Sequence, residues 1–148
     1  MRIGDVMTEP VVSAPAEATL GDVAELMRDR NVGSVVILEH DRPVALITDR
    51  DVALALGAGD ADRGAATGPY ATRPLVTGEA AMDLEEAAAL MVQHRIRRLP
   101  VMDGDGLAGI VTLDDLAVRT GDVQLAQRMT ADVARAALPE FFFHQRGG

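Results

Sequence analysis

An α/β fold made of two consecutive β-α-β-β-α repeats is predicted by three observations. An offset of 64 residues aligns the two halves of the chain without a gap, setting Thr8 against Thr72 and Asp51 against Asp115. About 13 of 50 positions are identical between residues 4–53 and 68–117, including Gly4/Gly68, Pro10/Pro74, Leu20/Leu84, Met27/Met91 and Thr48/Thr112. Each half also orders its hydrophobic periods alike: a helical period, two apolar runs of strand length, then a second helix. With 148 residues the chain is long enough to bury a core without staples.

The elements follow from local signals. Val11-Val12-Ser13 and Leu75-Val76-Thr77 read as short extended pieces. Leu20, Val23, Ala24 and Met27 fall at i, i+3, i+4 and i+7, which predicts a helix over 20–30; Leu84, Ala87, Ala88 and Met91 repeat it over 84–94. Thr19 with Asp22, and Asp83 with Glu86, have the spacing of a capping box. Strands are expected over 34–38 and 44–48 around a turn at 39–43, and over 99–102 and 107–112 around Asp103-Gly104-Asp105-Gly106. A second helix starts near Asp49 or Asp51 and stops at Gly57; its counterpart starts near Asp114 and fades by Gly121. Residues 57–68, rich in Gly, Ala and Asp, read as a linker. The repeats therefore divide as 1–60 and 61–121. Residues 122–148 are left for a further helix ended by Pro139 and a tail carrying Phe141, Phe142 and Phe143.

Composition excludes several chemistries. Cysteine is absent, so disulfides, thiolate metal sites and cysteine nucleophiles are out. All 14 basic residues are arginine, which removes the lysine-bearing phosphate loop and Schiff-base catalysis. A net charge of −9 argues against non-specific nucleic-acid binding. No apolar run is long enough for a membrane span, and the first residues do not read as a signal peptide, so a cytoplasmic location is expected. His40, His94 and His144 lack metal-ligand spacing. No metal site, no catalytic residue set and hence no enzymatic activity is expected.

The pattern Thr-x-x-Asp occurs twice at a strand-to-helix junction, as Thr48-Asp49-Arg50-Asp51 and Thr112-Leu113-Asp114-Asp115. One reading is a capping box that satisfies orphan backbone N–H groups. The other is a hydroxyl and a carboxylate facing a ribose, beside a helix start that favours a phosphate. Periodicity leaves both open. Arg95-Ile96-Arg97-Arg98 is the basic cluster of the chain, either a solvated face or a phosphate grip.

Val6-Met7-Thr8, the capped helix ending in Leu26-Met27, Arg97-Arg98-Leu99-Pro100-Val101 and Gly109-Ile110-Val111-Thr112-Leu113-Asp114-Asp115 resemble cystathionine-β-synthase (CBS) domains. Two in tandem resemble a Bateman module, over residues 1 to about 120. Ala45 departs from the family's Gly, Val36 from its Pro, and Ala71 from its Met. The resemblance implies two repeats packed with pseudo-twofold symmetry around two clefts that take adenosine ligands. Carried over by position, one cleft holds Thr48, Asp51, Val76, Ile96, Arg97 and Arg98, and the other Thr112, Asp115, Val12, Val32 and Gly33. Apolar residues would sandwich the base, Asp would accept from the ribose, and arginine would fork a phosphate.

The function expected from these features is a regulatory module sensing an adenine nucleotide or adenosyl compound such as AMP, ATP or S-adenosylmethionine, with no required cofactor. It would signal to a partner protein or through its own homodimer, paired by the helices that carry Ala24, Ala87, Ala88 and Ala89. The alternative is an interaction module with vestigial clefts. Phe141 to Phe143 would serve as a docking element.

Overall fold

The computed structural model describes residues 1–120 and, beyond them, Gln124, Gln127, Arg128 and Ala131, all four helical. The rest of the expected helix over 122–138, and the tail with Phe141 to Phe143, lie outside the described residues. The chain forms two compact units: residues Val11–Leu75, and Met1–Pro10 joined with the chain from Val76.

In the first unit β1 (Ser13–Pro15), α1 (Leu20–Arg30), β2 (Ser34–Glu39), β3 (Arg42–Thr48) and α2 (Asp49–Gly57) follow in order. The second unit has β4 (Gly78–Glu79), α3 (Leu84–His94), β5 (Arg98–Asp103), β6 (Gly106–Thr112) and α4 (Leu113–Thr120). This is the expected β-α-β-β-α order, twice. Each sheet has three strands, with β1 parallel to β2 and β2 antiparallel to β3, and likewise for β4, β5 and β6. Even the register shift recurs, between Ile37 and Leu38 and between Val101 and Met102.

The helices pack their apolar stripes on these sheets. Leu20, Val23, Val35, Ile37 and Ile47 form the centre of one core; Leu84, Met91, Leu99, Val101 and Val111 form that of the other. The first strands begin two or more residues later than the sequence suggests, because pairing with β2 and β5 starts only at Ser13 and Gly78. The expected turn at 39–43 tightens to His40-Asp41, since Glu39 already pairs with Arg42. Both loop residues are left-handed, with φ of 52° and 63°, as a two-residue hairpin with right-twisted strands requires.

The capping box at Thr19 and Asp22 forms, with Thr19 Oγ1 accepting from Asp22 N–H at 3.0 Å and Asp22 Oδ2 from Thr19 N–H at 3.1 Å. The one expected at Asp83 and Glu86 does not: Asp83 occupies the cap position, but its side chain makes no capping bond. There the chain start supplies the order. Arg2 pairs with Asp83 in an antiparallel bridge, and its guanidinium donates to the Ala81 carbonyl at 3.1 Å.

That chain start is a structural part of the second unit. Ile3 and Gly4 donate backbone hydrogen bonds to Met82 and Ala80, and Ile3 and Val6 are buried with Leu84 and Leu99. In the first unit the corresponding stretch comes from residues 65–72: Leu20 N–H donates to Ala65 and Thr67 N–H to Ala18. The two places are not filled alike. Ile3 is 0% exposed, and its repeat counterpart Thr67, also 0% exposed, turns its hydroxyl to the Ala16 carbonyl at 3.4 Å.

A second exchange of sizes explains two departures in the first repeat. A Cβ at Gly109 would lie 2.6 Å from Met7 Sδ and 3.0 Å from the Thr8 carbonyl, so Met7 fits only over a glycine. In the first unit Ala45 stands for Gly109 and Ala71 for Met7, both in the same apolar cluster. The extra methyl at Ala45 is accommodated because the facing side chain is short.

Ile3→Ala should therefore destabilise the protein by about 2–5 kcal/mol, the usual cost of emptying a buried isoleucine site. Thr67→Ala should cost less, because it removes a smaller group and one long hydrogen bond. Urea denaturation of the two variants checks the order.

Candidate functional site

Both Thr-x-x-Asp motifs lie where the last strand of a sheet turns into a helix. Thr48 has the extended backbone of a cap residue, with φ −110° and ψ 164°. Asp51 N–H donates to Thr48 Oγ1 at 3.2 Å, and Thr48 N–H to Asp51 Oδ2 at 2.9 Å. Thr112 and Asp115 repeat the box at 3.0 and 3.1 Å. The capping reading is thus satisfied at both junctions, and one carboxylate oxygen of each aspartate is committed to it.

The second oxygens differ. The Thr8 hydroxyl donates to Asp115 Oδ1 at 3.2 Å. Among the described residues no donor reaches Asp51 Oδ1, and Thr72, the counterpart of Thr8, is exposed. Thr8 is the residue that sequence reasoning missed as a site neighbour. Its signals are the identity of Thr8 with Thr72 and its place in Val6-Met7-Thr8, and neither says where the hydroxyl goes.

Sheet register decides what stands beside each junction. Ser34 lies opposite Thr48, and Arg98 opposite Thr112. Residues directly opposed in an antiparallel pair share a face, with Cβ atoms about 4.5–5.5 Å apart. The residues just before the strands close the first helical turns: the Gly33 carbonyl accepts from Asp49 N–H at 3.0 Å, and the Arg97 carbonyl from Leu113 N–H at 3.3 Å. Val12 and Val32 pack against the core of the first unit, and Val76 and Ile96 against that of the second. In the first unit Ser34 and Gly33 therefore adjoin the Thr48 junction, while Val12 and Val32 are placed by their packing on the core. In the second unit Arg98 and the Arg97 backbone adjoin the Thr112 junction, while Val76 and Ile96 are placed by their packing on the core. Arg97 is exposed; the other ten expected site residues are partly buried, accessible yet held by packing.

The two junctions consequently differ in charge. The segments that meet at Thr112 carry Arg97 and Arg98 as well as Asp114 and Asp115. Around Thr48 the places of the two arginines are taken by Gly33 and Ser34, leaving Asp49 and Asp51 with Arg50 alone. By residue count the second of these surroundings is the more negative.

Comparison with known proteins places this geometry. The CBS domain family model matches residues 3–58 and 68–119. The chain is 40% identical over 116 residues to the CBS domain-containing protein YhcV of Bacillus subtilis (strain 168), covering 78% of this chain and 83% of that one. Among solved structures, a CBS domain protein from Pyrobaculum aerophilum complexed with AMP superposes with a TM-score of 0.77 at 27% identity, covering 86% of this chain and 99% of that one. Hypoxic Response Protein I, solved with two coordinated zinc ions, superposes with a TM-score of 0.70 at 30% identity over 80% of this chain and 98% of that one. Among the described residues here, no group of three His, Cys, Asp or Glu side chains could hold a metal ion. Nor is any described helix long and apolar enough to cross a membrane.

The unequal engagement of the two aspartates is measurable without any ligand. Thr48→Ala should cost about 1 kcal/mol, as loss of a helix cap does. Asp115→Ala should cost more than Asp51→Ala, by about 1 kcal/mol, because it also strands the Thr8 hydroxyl. Guanidinium titrations of the three variants test this, and equal costs for the two aspartates would contradict it.

Proposed function

This chain belongs to the CBS domain family, as a tandem pair, and from that premise we propose that it is a regulatory module that binds an adenine nucleotide and carries out no chemistry itself. The observation that carries the reading is the pairing of Arg98 with Thr112 at the start of α4. It sets a guanidinium, a hydroxyl, a carboxylate and the N–H groups of a helix start at one end of one sheet. A nucleoside monophosphate offers the matching groups: vicinal hydroxyls for Asp115, and a phosphate for Arg98 and the helix start. The AMP complex of the Pyrobaculum aerophilum relative supports the ligand class.

In this reading the site residues group by unit: Thr112, Asp115, Val76, Ile96, Arg97 and Arg98 take a phosphate-bearing ligand. Thr48, Asp51, Val12, Val32 and Gly33 form a second site without arginine at its strand end, suited to an adenosyl compound lacking phosphate. S-adenosylmethionine, which carries a positive sulfonium, is such a compound; AMP and ATP belong at the first. The module acts in the cytoplasm as a homodimer and passes the binding event to its own dimer or to a regulated protein. Signalling requires only that the ligand bind one arrangement of the protein more tightly than another. Exposed Leu54 and Leu56 on α2 offer apolar surface for self-association, at 55% and 38% exposure.

One observation favours the second reading, an interaction module with vestigial clefts. Both aspartates already serve as caps, and Asp115 is further held by Thr8, so neither needs a ligand to account for its presence.

Thermal melting decides between them. A ligand at about 100 times its dissociation constant stabilises by about 2.7 kcal/mol, so AMP should raise the melting temperature by several degrees. Arg98→Ala should weaken AMP binding at least about tenfold, the worth of a charged hydrogen bond, and leave adenosine unaffected. No shift with AMP, ATP or S-adenosylmethionine would establish the vestigial reading. Sedimentation at micromolar concentration should show a dimer; a lone 15.6 kDa species would refute that part.

A further inference from the structure

Met7 is a half-buried thioether with no counterpart in the first unit, where Ala71 takes its place. Its sulfur lies against the backbone of β6. A Cβ added to Gly109 would be 2.6 Å from Met7 Sδ, 2.7 Å from Met7 Cγ and 3.0 Å from the Thr8 carbonyl oxygen. Those three atoms crowd one point, which has no room for a further atom. The other described methionines are placed differently. Met27 and Met91 are 8% and 0% exposed, Met82 and Met102 are half-buried, and Met1 is exposed. Met7 is the one that stands in the place of a glycine's missing Cβ.

The next residue joins the chain start to the sheet. Thr8 N–H donates to Ile110 at 2.8 Å, Ile110 N–H donates to Thr8 at 3.0 Å, and the Thr8 hydroxyl donates to Asp115 Oδ1 at 3.2 Å. Ile3 and Gly4 are bonded separately, to Met82 and Ala80. Residues 7 and 8 can therefore part from β6 while Ile3 stays in its core. In the first unit the same bridge, Thr72 with Leu46, is made beside Ala71, which has no sulfur. A thioether tolerates such a contact because its sulfur is soft and apolar. A sulfoxide adds an oxygen, a dipole and a demand for a hydrogen-bond donor. The Thr8 carbonyl, crowding the same point, is itself an acceptor and offers that oxygen no donor.

We propose that Met7 is an oxidation-sensitive latch: a hydroperoxide converts its thioether to the sulfoxide, and the sulfoxide lifts residues 7 and 8 off β6. A lone pair of Sδ attacks one peroxide oxygen, and the S–O bond forms as the O–O bond breaks. The proton on the attacked oxygen passes to the departing one, so hydrogen peroxide leaves as water. Sulfur gives up two electrons and the peroxide takes them. Lifting breaks the Thr8–Ile110 pair and withdraws the Thr8 hydroxyl from Asp115, whose Oδ1 becomes as open as that of Asp51 among the described residues. Oxidation thus removes a difference between the two junctions. The step is reversible, since methionine sulfoxide reductases return the thioether. The latch stands on packing and does not depend on the nucleotide-binding reading.

Treating the full chain with hydrogen peroxide, locating the added oxygen by peptide mass spectrometry and following amide hydrogen exchange tests this. Once Met7 is oxidised, the Ile110 amide should exchange at least about tenfold faster, while the Leu46 amide, bonded to Thr72, keeps its rate. Methionine sulfoxide reductases A and B together should restore the slow exchange. Met7→Ala, which copies Ala71, and Met7→Leu should leave Ile110 indifferent to peroxide; if one variant fails to fold, the other serves as the control. Oxidation of Met7 without faster exchange at Ile110 overturns the proposal, as does an equal rise at Leu46. So does a Met7 that stays reduced while Met82 and Met102 react, or a peroxide response at Ile110 that persists in the Met7 variants.

Discussion

One reciprocal pair of backbone hydrogen bonds holds each sheet to a stretch of chain from outside its own β-α-β-β-α run. Thr8 and Ile110 exchange bonds of 2.8 and 3.0 Å; Thr72 and Leu46 exchange bonds of 2.8 and 3.2 Å. Much else follows from where these bonds put the added stretch. Met7 is pressed onto β6 so closely that residue 109 must be glycine. Ile3 and Val6 are carried into the core beside Leu84 and Leu99. The Thr8 hydroxyl is brought to Asp115, so the carboxylate in the first turn of α4 is tied both to the end of β6 and to the chain start. A backbone bridge makes no demand on side-chain type, which is why Met7 and Ala71 can occupy the same place in the two units.

Much of this architecture is legible in the sequence, because its signals are local and stated twice. Leu20, Val23, Ala24 and Met27 can only make one stripe, and α1 runs over the expected residues. Thr48 with Asp51 states a cap by spacing alone, and the cap is there. What the sequence hides is long-range. Nothing near Asp83 says that Arg2 will pair with it, so spacing promises a capping box where the chain start does the ordering instead. The strand starts at Ser13 and Gly78 are likewise set by partners across the sheet rather than by the valines that precede them.

The candidate site divides the same way. Its residue types could be found by pattern, since a threonine and an aspartate three apart at a strand end are visible in print. Their company could not. Whether Arg98 stands by one aspartate or another is a question of register, and register depends on a hairpin whose loop is two residues long. Asp103 pairs with Gly106, and the register shift between Val101 and Met102 then sets Arg98 opposite Thr112. The charge difference between the two junctions is therefore a property of the hairpins as much as of the arginines.

The discontinuity of the second unit also imposes an order of events on synthesis. Residues 11–75 form a continuous stretch and can close as soon as they have left the ribosome. Thr8, by contrast, is made about 100 residues before Ile110, to which it is bonded. Closing so long a loop costs only a little more entropy than closing a short one, because the penalty grows with the logarithm of its length. The cost lies in time. At about 5–20 residues per second, Ile3 and Val6 wait several seconds for the strand that will cover them.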